Sequence, residues 1–301
     1  MSGGSLVVLG DALLDRDLDG SATRLSRDAP VPVVRDLSET HRPGGAGLAA
    51  LLAARAAPTA PVVFVTALAE DDGGALLHRM LAPRVRVVAG RSPGQTAEKI
   101  RIRSDGQSLL RMDRDQPGAR HATITPDMCA AVEDAGLVLV SDYGQGLAGS
   151  PGLRAALERA ADRGAVVWDP HLPGSRPLPG ARMVVPAFAE ACELSGLSYP
   201  DFDELARAAR AARALVGGWR ADAVAVTLGP RGALLDTGDR NPRLCPGPDL
   251  PWADGCGTGD QFAAAAAVAL YQGATPLEAV SFAVDAAAHY AAAGGAAHAL
   301  D

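Results

Sequence analysis

Short continuous apolar runs alternate with longer amphipathic runs along most of this chain. Continuous apolar runs are typical of strands covered on both faces, whereas strands with one face in water alternate residue by residue. The predicted strands are residues 5–9, 61–67, 84–89, 136–141, 165–168, 183–185, 221–228 and 233–236. The predicted helices are residues 45–57, 74–81, 126–135, 151–163, 187–195, 202–216, 258–271 and 276–292. Strands and helices that alternate in this way form a parallel sheet between helix layers, so the predicted class is α/β.

Two segments, residues 17–43 and 97–114, interrupt this alternation. The first shows no helical pattern, and the second contains an Asp-Gly pair between two short alternating runs, which is a strong hairpin signal. The polar positions of that hairpin's first run are Lys99, Arg101 and Arg103. We expect the two segments to form a small sheet with one polar face, which projects as a lid and a dimer contact. Residues 1–301 are predicted to form one domain around a single main sheet, with these two segments as its lid.

Composition narrows the class of partner. Of 301 residues, 48% are hydrophobic and 21% are charged, as in globular proteins, and the net charge is −7. An acidic chain argues against nucleic acid or an anionic membrane as the main partner. The longest apolar run, residues 262–271, is too short to cross a bilayer, so we expect a cytoplasmic protein. The cysteines and histidines have no CxxC or HxxxH spacing, so neither a disulfide framework nor a zinc site is predicted.

The basic residues of the chain are almost all arginine. Of the 28 basic residues, Lys99 is the only lysine and all the others are arginine. Ammonium and guanidinium groups are not interchangeable, so a lysine kept against this bias is a candidate for a specific role. Chance survival of a single lysine is the alternative.

The strongest local motif is Asp-Gly-Cys-Gly-Thr-Gly-Asp at residues 254–260, directly before an apolar helix. Its glycines allow a tight turn whose N–H groups face an anion, at a helix end where the dipole favours negative charge. Asp260 lies in the first turn of that helix, where it can stay ionised and accept a proton from a hydroxyl. The alternative is that Asp260 only caps the helix and the glycines only form a loop.

A second set of candidates lies near the N-terminus. Asp11 and Asp15 follow the first predicted strand, and acids at the carboxyl end of a parallel strand suit sugar hydroxyls. Gly44 and Gly45 open the first helix and allow the backbone to approach a ligand closely. The alternatives are a solvated turn for the acids and a glycine-rich helix start for the glycines.

Together these residues resemble the ribokinase-like (PfkB) family of sugar kinases, and within it the heptose-7-phosphate kinase branch of bacterial ADP-heptose synthesis. The resemblance spans nearly the whole chain, and 254–260 is a variant of the family motif D-x-T-G-A-G-D. The similar segments are LGDALLDRDLDG (9–20), TRLSRDAPVPVVR (23–35), RPGGAG (42–47), EKIRIRSDGQSLLRMD (98–113), SDYGQG (141–146), WDP (168–170), VTLGPRG (226–232) and DGCGTGD (254–260). The resemblance implies a three-layer α/β/α sandwich with a mainly parallel sheet and a small β lid.

The resemblance also implies a role for each matching residue. Asp260 would be the catalytic base, and the backbone of Gly257, Thr258 and Gly259 would form an anion hole for the transferred phosphoryl group. The implied sugar-binding residues are Asp11, Asp15, Gly44, Gly45 and Asp142. The implied ATP-binding residues are Thr227, Gly229, Gly232 and Glu190, the last also holding Mg²⁺ through water. Lys99 and Arg101 would bind the phosphate of a sugar phosphate, with an ordinary solvated hairpin face as the alternative.

The chain departs from the family pattern at several positions. Leu48 and Ala187 replace asparagines, which bears on sugar specificity and on metal and phosphate handling respectively. In the glycine-rich motif, Cys256 replaces the usual Thr and Thr258 replaces the usual Ala. Gln261 stands where Thr is common, and His171 stands where a basic residue is usual.

The base and the anion-hole glycines are retained, so the sequence predicts an active ATP- and Mg²⁺-dependent sugar kinase. The predicted acceptor is the anomeric (C1) hydroxyl of a heptose 7-phosphate. The alternatives are another acceptor, such as a hexose phosphate or nucleoside, or a degenerate kinase fold that binds without turnover. We also expect a homodimer formed through the lid and a separate nucleotidyltransferase in the same pathway.

Overall fold

A computed structural model of the chain describes residues 4–104, 107–114, 122–172, 174–197, 202–239 and 241–297. Within these ranges, nine strands form one large sheet, here called the main sheet. Its strands, in spatial order, are β13 (Arg243–Pro246), β12 (Gly232–Asp236), β11 (Val224–Thr227), β10 (Met183–Val184), β9 (Val166–Pro170), β8 (Leu137–Asp142), β1 (Leu6–Gly10), β4 (Val62–Ala69) and β5 (Arg86–Ser92). The pairs from β11 to β5 are parallel, and only the β11–β12 and β12–β13 pairs of the described sheet are antiparallel.

Helices cover both faces of the main sheet. They are α1 (Ala46–Ala56), α2 (Asp72–Leu81), α3 (Pro126–Glu133), α4 (Pro151–Asp162), α5 (Phe188–Ser195), α6 (Glu204–Trp219), α7 (Thr258–Tyr271) and α8 (Pro276–Ala292). Neighbouring residues of one strand pack into different cores: Leu6 and Val8 of β1 lie in the core with α1 and α7, and Val7 and Leu9 lie in the core with α4 and α6. Burial on both faces explains the continuous apolar runs, and the predicted α/β/α sandwich is confirmed.

Four further strands form a second sheet, here called the small sheet. Its strands, in spatial order, are β3 (Pro32–Gly45), β2 (Ala12–Leu25), β6 (Glu98–Ser104) and β7 (Gln107–Arg114). Strand β2 pairs antiparallel with β3 and parallel with β6, and β6 pairs antiparallel with β7. The segments predicted to interrupt the α/β alternation therefore lie in this sheet. Part of the predicted hairpin turn, residues 105 and 106, lies outside the described residues.

Pairing within the small sheet sorts its side chains by charge. Opposite residues share a face of a sheet, and three carboxylates of β2 stand opposite three cations of β6. These pairs are Asp15 with Lys99, Asp17 with Arg101, and Asp19 with Arg103. The other face carries apolar residues, among them Ile100 opposite Met112 and Ile102 opposite Leu110. One polar and one apolar face is what the alternating sequence predicts.

Several element boundaries differ from the sequence-based prediction. Strand β13 was not predicted, because it is a short edge strand whose residues, Arg-Leu-Cys-Pro, are not a continuous apolar run. The strand predicted at 84–89 lies at Arg86–Ser92, since Arg84 and Val85 donate backbone N–H groups to the carbonyl of Leu81 at the end of α2. Across the described residues, no helix is both long enough and apolar enough to span a bilayer.

Candidate active site

Acidic side chains gather where the parallel strands of the main sheet end. Asp11 follows β1, Asp142 ends β8, and Asp169 lies near the end of β9. Each is almost fully buried, with 3%, 0% and 4% of its surface exposed. The carboxyl ends of adjacent parallel strands meet at one edge, which is where open α/β sheets bind ligands. This edge is therefore the candidate active site.

The glycine-rich loop 254–257 brings the start of α7 to this edge. Gly257 has φ of 78°, and a Cβ there would lie 2.5 Å from the Tyr290 hydroxyl and 2.8 Å from Leu48 Cδ2. Only glycine fits this position. The Asp254 carboxylate accepts a hydrogen bond from the Cys256 N–H at 2.8 Å and so fixes the turn. The first N–H groups of α7, which begins at Thr258, have no partner within the helix and suit an anion.

Asp260 lies in the first turn of α7 and is only 5% exposed. The Tyr143 hydroxyl lies 2.9 Å from Asp260 Oδ1 and 3.0 Å from Oδ2 and donates to this carboxylate. Burial raises the pKa of Asp260 to about 7, although the Tyr143 hydrogen bond and the Lys99 ammonium favour its charged form. The cap of α7 is Gly257 and has no side-chain hydrogen bond. Asp260 therefore does not act as a helix cap, which was the alternative interpretation.

The predicted sugar-binding residues lie side by side. The Gln145 N–H donates to Asp11 Oδ2 at 3.1 Å, and Asp11 Oδ1 has no hydrogen-bond partner among the described residues. Burial, and then the charge of Asp142, raise the pKa of Asp11 to about 7. Gly45 has φ of 57°, and a Cβ on it would lie 2.8 Å from the Asp11 carbonyl oxygen. A Cβ on Gly44 would lie 2.9 Å from the Asp15 carboxyl carbon.

Asp142 has a clear structural use. Its carboxylate accepts the Gly144 N–H at 3.0 Å and the Ser175 N–H at 2.6 Å. It therefore ties together the loops that follow β8 and β9. Contact between Asp142 and a sugar stays a prediction.

The cations of the small sheet face the same site. Lys99 is half-buried, and its Nζ lies 4.4 Å from the centre of the Tyr143 ring. Arg101 Nη1 lies 3.5 Å from Asp15 Oδ1 and 3.8 Å from Asp17 Oδ1. Both side chains are half-buried, and their contact with a phosphate stays a prediction.

A groove on the other side of the α7 N-terminus brings the predicted nucleotide-binding residues together. Its walls include Thr227, Gly229, Gly232, Thr258, Gly259, Leu250, Trp252 and Phe262. The groove thus joins the end of β11 to the anion-binding loop. Gly232 also has a packing role, because a Cβ there would lie 2.1 Å from the Cys245 carbonyl oxygen of β13. Leu250 and Trp252 were not predicted, because they lie in a segment without a regular pattern.

Glu190 and Asp169 complete the acidic edge. Glu190 Oε2 accepts the Ala187 N–H at 2.8 Å, so this side chain closes the start of α5. Burial raises the pKa of Glu190, and burial with the charges of Asp260, Glu190 and Asp142 raises that of Asp169 well above its usual value. Asp169 Oδ2 has no hydrogen-bond partner in the described part of the chain. Asp169 was not among the predicted site residues, although its Trp-Asp-Pro segment was noted.

The departures from the family pattern have visible consequences. Leu48 is 2% exposed and packs under the loop at Gly257, so it takes no part in the polar site. His171 stacks on Tyr143 with the ring centres 4.0 Å apart, and burial lowers its pKa to about 4. It is therefore neutral and supplies no positive charge. Within the described ranges, no group of three or more His, Cys, Asp or Glu side chains is arranged to hold a metal ion.

Known proteins match this chain over almost its whole length. One curated relative is the bifunctional protein HldE of Streptomyces coelicolor, which is 47% identical over 97% of this chain and 61% of its own length. Another is the bifunctional protein HldE of Azorhizobium caulinodans, which is 34% identical over 89% of this chain and 57% of its own length. The chain thus spans about 60% of the length of these relatives.

Solved structures show the same fold at lower identity. Ribokinase from Thermotoga maritima has a TM-score of 0.73 at 19% identity and covers 96% of this chain and 93% of its own. Phosphofructokinase-2 from Escherichia coli in complex with fructose-6-phosphate has a TM-score of 0.71 at 19% identity, covering 97% and 95%. These likenesses establish the ribokinase-like fold. Residues 4–301 match the family model described as pfkB family carbohydrate kinase, and the chain belongs to that family.

Proposed function

We propose that this chain transfers the γ-phosphoryl group of ATP to a sugar hydroxyl, with Asp260 as the general base. The observation that supports this most directly is the position of Asp260. It directly follows Thr258 and Gly259, which line the groove that contains Thr227, and the charges of Lys99 and Asp15 of the small sheet act on its carboxylate. A base placed between a nucleotide groove and a sugar pocket is what in-line phosphoryl transfer requires.

Each part of the site has one task in this proposal. Asp260 takes the proton of the acceptor hydroxyl as the oxygen attacks phosphorus. The N–H groups of Gly257 and Gly259 would face the charge that develops on the transferred group, together with that of Thr258, which here donates to the Gly255 carbonyl at 3.2 Å. Asp11 and Asp15 accept hydrogen bonds from sugar hydroxyls, which orients the acceptor. Because the pKa of Asp260 is about 7, the base is ionised above neutral pH and turnover rises with pH through this range.

The acidic edge suits Mg²⁺. Asp169 has a buried oxygen without a hydrogen-bond partner among the described residues, and burial followed by the charges of Asp260, Glu190 and Asp142 raises the pKa of its carboxyl. Mg²⁺ in phosphoryl-transfer sites uses one or two carboxylates together with water and substrate phosphates, so a full protein cage is not needed. Asp169 and Glu190 would hold the ion, Glu190 through water. When bound, the ion neutralises phosphate charge on the nucleotide.

We further propose that the acceptor is a heptose 7-phosphate, phosphorylated at its C1 hydroxyl. Supporting this are the resemblance of the N-terminal segments to the heptose-phosphate branch and the similarity to the HldE proteins. The small sheet also offers two cationic places for a phosphate in an otherwise acidic protein. Lys99 and Arg101 lie near the base, and a cavity of about 500 Å³ farther along the same sheet is lined by Arg42, Arg84 and Arg103 together with the carboxylates Asp17 and Asp19. These cations favour a phosphorylated acceptor over a nucleoside.

The product of this reaction would be a heptose 1,7-bisphosphate, because the acceptor keeps its 7-phosphate. A nucleotidyltransferase that forms a nucleotide sugar uses the phosphate at C1, so we expect an activity of that class later in the same pathway. The curated relatives that match this chain are named bifunctional, which fits a second step of this kind.

An ATP-consumption screen against sugars and sugar phosphates tests the proposed function. Wild type is compared with Asp260→Asn and with a control, Asp285→Asn, which changes an exposed aspartate of α8. We expect turnover with a phosphorylated sugar, a fall in kcat of about a hundredfold or more in Asp260→Asn, and no change in the control. Near-normal turnover in Asp260→Asn would contradict the proposal. ATP-dependent binding of sugar without turnover in the wild type would instead indicate a degenerate kinase.

A further inference from the structure

Three side chains are stacked beside the proposed base. The Tyr143 ring lies between Lys99, whose Nζ is 4.4 Å from the ring centre, and His171, whose ring centre is 4.0 Å away at an angle of 22°. At the edge of this stack, the Tyr143 hydroxyl donates to Asp260. The ring is thus held by its neighbours while its one polar atom contacts the base.

The stack is built from separate parts of the fold. Tyr143 follows β8, His171 follows β9, and Lys99 belongs to β6 of the small sheet. The two loops are tied together, because the His171 N–H donates to the Asp142 carbonyl at 3.1 Å and the Asp142 carboxylate accepts the Ser175 N–H. The Tyr143 ring is therefore fixed, and so is the direction of its hydroxyl.

We propose that Tyr143 is the positioning residue of Asp260, a proposal that rests on the function given above. Its hydroxyl holds both carboxylate oxygens in one orientation and stabilises the anion that accepts the acceptor's proton. One O–H group leaves most lone pairs of the carboxylate free, so the acceptor hydroxyl can still bind there. A hydrogen bond to a charged group is stronger than one between neutral groups, which suits this task.

The charged and titratable groups around Asp260 set the direction of the effect. Lys99 and the Tyr143 hydroxyl favour its ionised form, whereas burial and the Asp15 carboxylate oppose it. Asp169 and the Tyr290 hydroxyl also interact with Asp260, because burial and then the charge of Asp260 raise the pKa of each. Removal of the Tyr143 hydroxyl deletes one of the few favourable contacts. The pKa of Asp260 must then rise, and less base is ionised at neutral pH.

The Tyr143→Phe variant isolates this role, because the phenyl ring can keep its place between Lys99 and His171. Tyr271→Phe is the matched control, since it removes a hydroxyl that donates to the Gly4 carbonyl at 2.8 Å outside the site. The first measurement is a ¹³C NMR titration of aspartate carboxyl groups, with the Asp260 signal assigned by its loss in Asp260→Asn. The second is the pH profile of kcat and of KM for ATP.

We expect the Asp260 titration midpoint to rise by about one pH unit in Tyr143→Phe. With a midpoint near 7 in the wild type, kcat falls about fivefold or more at pH 7 and recovers substantially at pH 9. KM for ATP stays unchanged, and Tyr271→Phe behaves as wild type. A shift below half a pH unit, or a loss of kcat that is equal at all pH values, would overturn the proposal. Full activity in Asp260→Asn would overturn the proposed function instead, and the titration would still report on the contact.

Discussion

The main sheet and the small sheet are built on different principles. Strands of the main sheet are apolar on both faces and lie between helices, so their positions are fixed by packing on two sides. Strands of the small sheet carry charges on one face and apolar side chains on the other, where Leu110 and Met112 of β7 are exposed. The main sheet places the carboxylates Asp11 and Asp169 at strand ends, whereas the small sheet provides the cation Lys99. The proposed chemistry thus needs a rigid acidic edge and a separate cationic surface.

The energetics of the two regions differ as well. Asp17 and Arg42 of the small sheet form a buried ion pair, with Arg101 close to the same carboxylate. Buried ion pairs recover little more than the cost of removing both charges from water, so they stabilise less than well-packed apolar residues. We therefore expect the small sheet to be the less stable region and the one that opens first.

The largest expected effect comes from the core of the main sheet. Leu139 of β8 is fully buried, so Leu139→Ala should lower the free energy of unfolding by about 2–5 kcal/mol. Leu110 of β7 is 55% exposed, and Leu110→Ala should change the free energy by less than about 0.5 kcal/mol in the isolated protomer. Urea denaturation of both variants measures this contrast. Equal losses would show that the two sheets unfold as equivalent parts of one core.

The same contrast explains how much of the fold could be predicted from sequence. Burial on both faces leaves a continuous apolar run, which is visible without any structure, and this predicted almost all strands of the main sheet. The edge strand β13 carries no such run and was missed. In the small sheet the polar face was visible in the alternation of 99–103, but which strand pairs with which depends on long-range register.

In the candidate site too, residues in a local motif could be predicted from sequence, and residues brought together only by the fold could not. Asp260 and its glycine loop form a local motif, so adjacent residues were sufficient to find them. The Tyr143–Asp260 hydrogen bond joins residues 117 positions apart, and no local pattern indicates it. The same holds for the stacking of His171 and for the unpartnered oxygen of Asp169. Their properties arise from burial in the folded chain, which the sequence does not display.

The acidic edge should reveal its burial through the pH dependence of stability. The folded-state pKa of Asp11 is about 7, above the ordinary value of 3.8, so the folded chain binds this proton more tightly than the unfolded chain. The contribution of Asp11 to the free energy of unfolding is therefore fully present below pH 4 and is lost as pH rises through 7. Asp11→Asn should stabilise the protein by about 2–4 kcal/mol at pH 8 and hardly at all at pH 4.

Thermal unfolding at both pH values measures this difference. The control is Asp285→Asn, an exposed aspartate for which we expect no dependence of this kind. An Asp11→Asn variant that is equally or less stable than wild type at pH 8 would show that the carboxylate is not strained by burial.

The cationic surface should matter for the acceptor and not for the fold. Lys99→Met removes the ammonium near the base and should lower kcat/KM about ten- to a hundredfold for a phosphorylated acceptor, with a much smaller effect on its unphosphorylated analogue. Arg103→Met tests the cavity farther along the sheet in the same assay. The control is Arg91→Met, which changes an arginine of β5 whose side chain is 67% exposed and pairs with Glu70, directly after β4.

The comparison of these variants locates the phosphate. If only Lys99→Met loses the preference for the phosphorylated acceptor, the acceptor's phosphate lies beside the base. If only Arg103→Met loses this preference, the phosphate lies in the cavity, which would contradict our assignment of Lys99. If kcat/KM falls equally for the phosphorylated and the unphosphorylated acceptor in Lys99→Met, the lysine acts on the base and not on the acceptor.

A substitution on the apolar face of the small sheet should have the smallest effect on the stability of the fold, but it should change the oligomeric state. Leu110 and Met112 are 55% and 40% exposed there, and a second copy of this face would cover them and hide the edges of both sheets. We therefore expect a dimer in sedimentation experiments and a shift to monomer in Leu110→Arg. Because Leu110 lies outside both cores of the main sheet, the free energy of unfolding of the monomer should stay within about 0.5 kcal/mol of the wild-type value. The same shift should be absent in Leu172→Arg, a control residue that is 39% exposed in the loop after β9. A wild-type protein that sediments only as a monomer at high concentration would show that this face has another use.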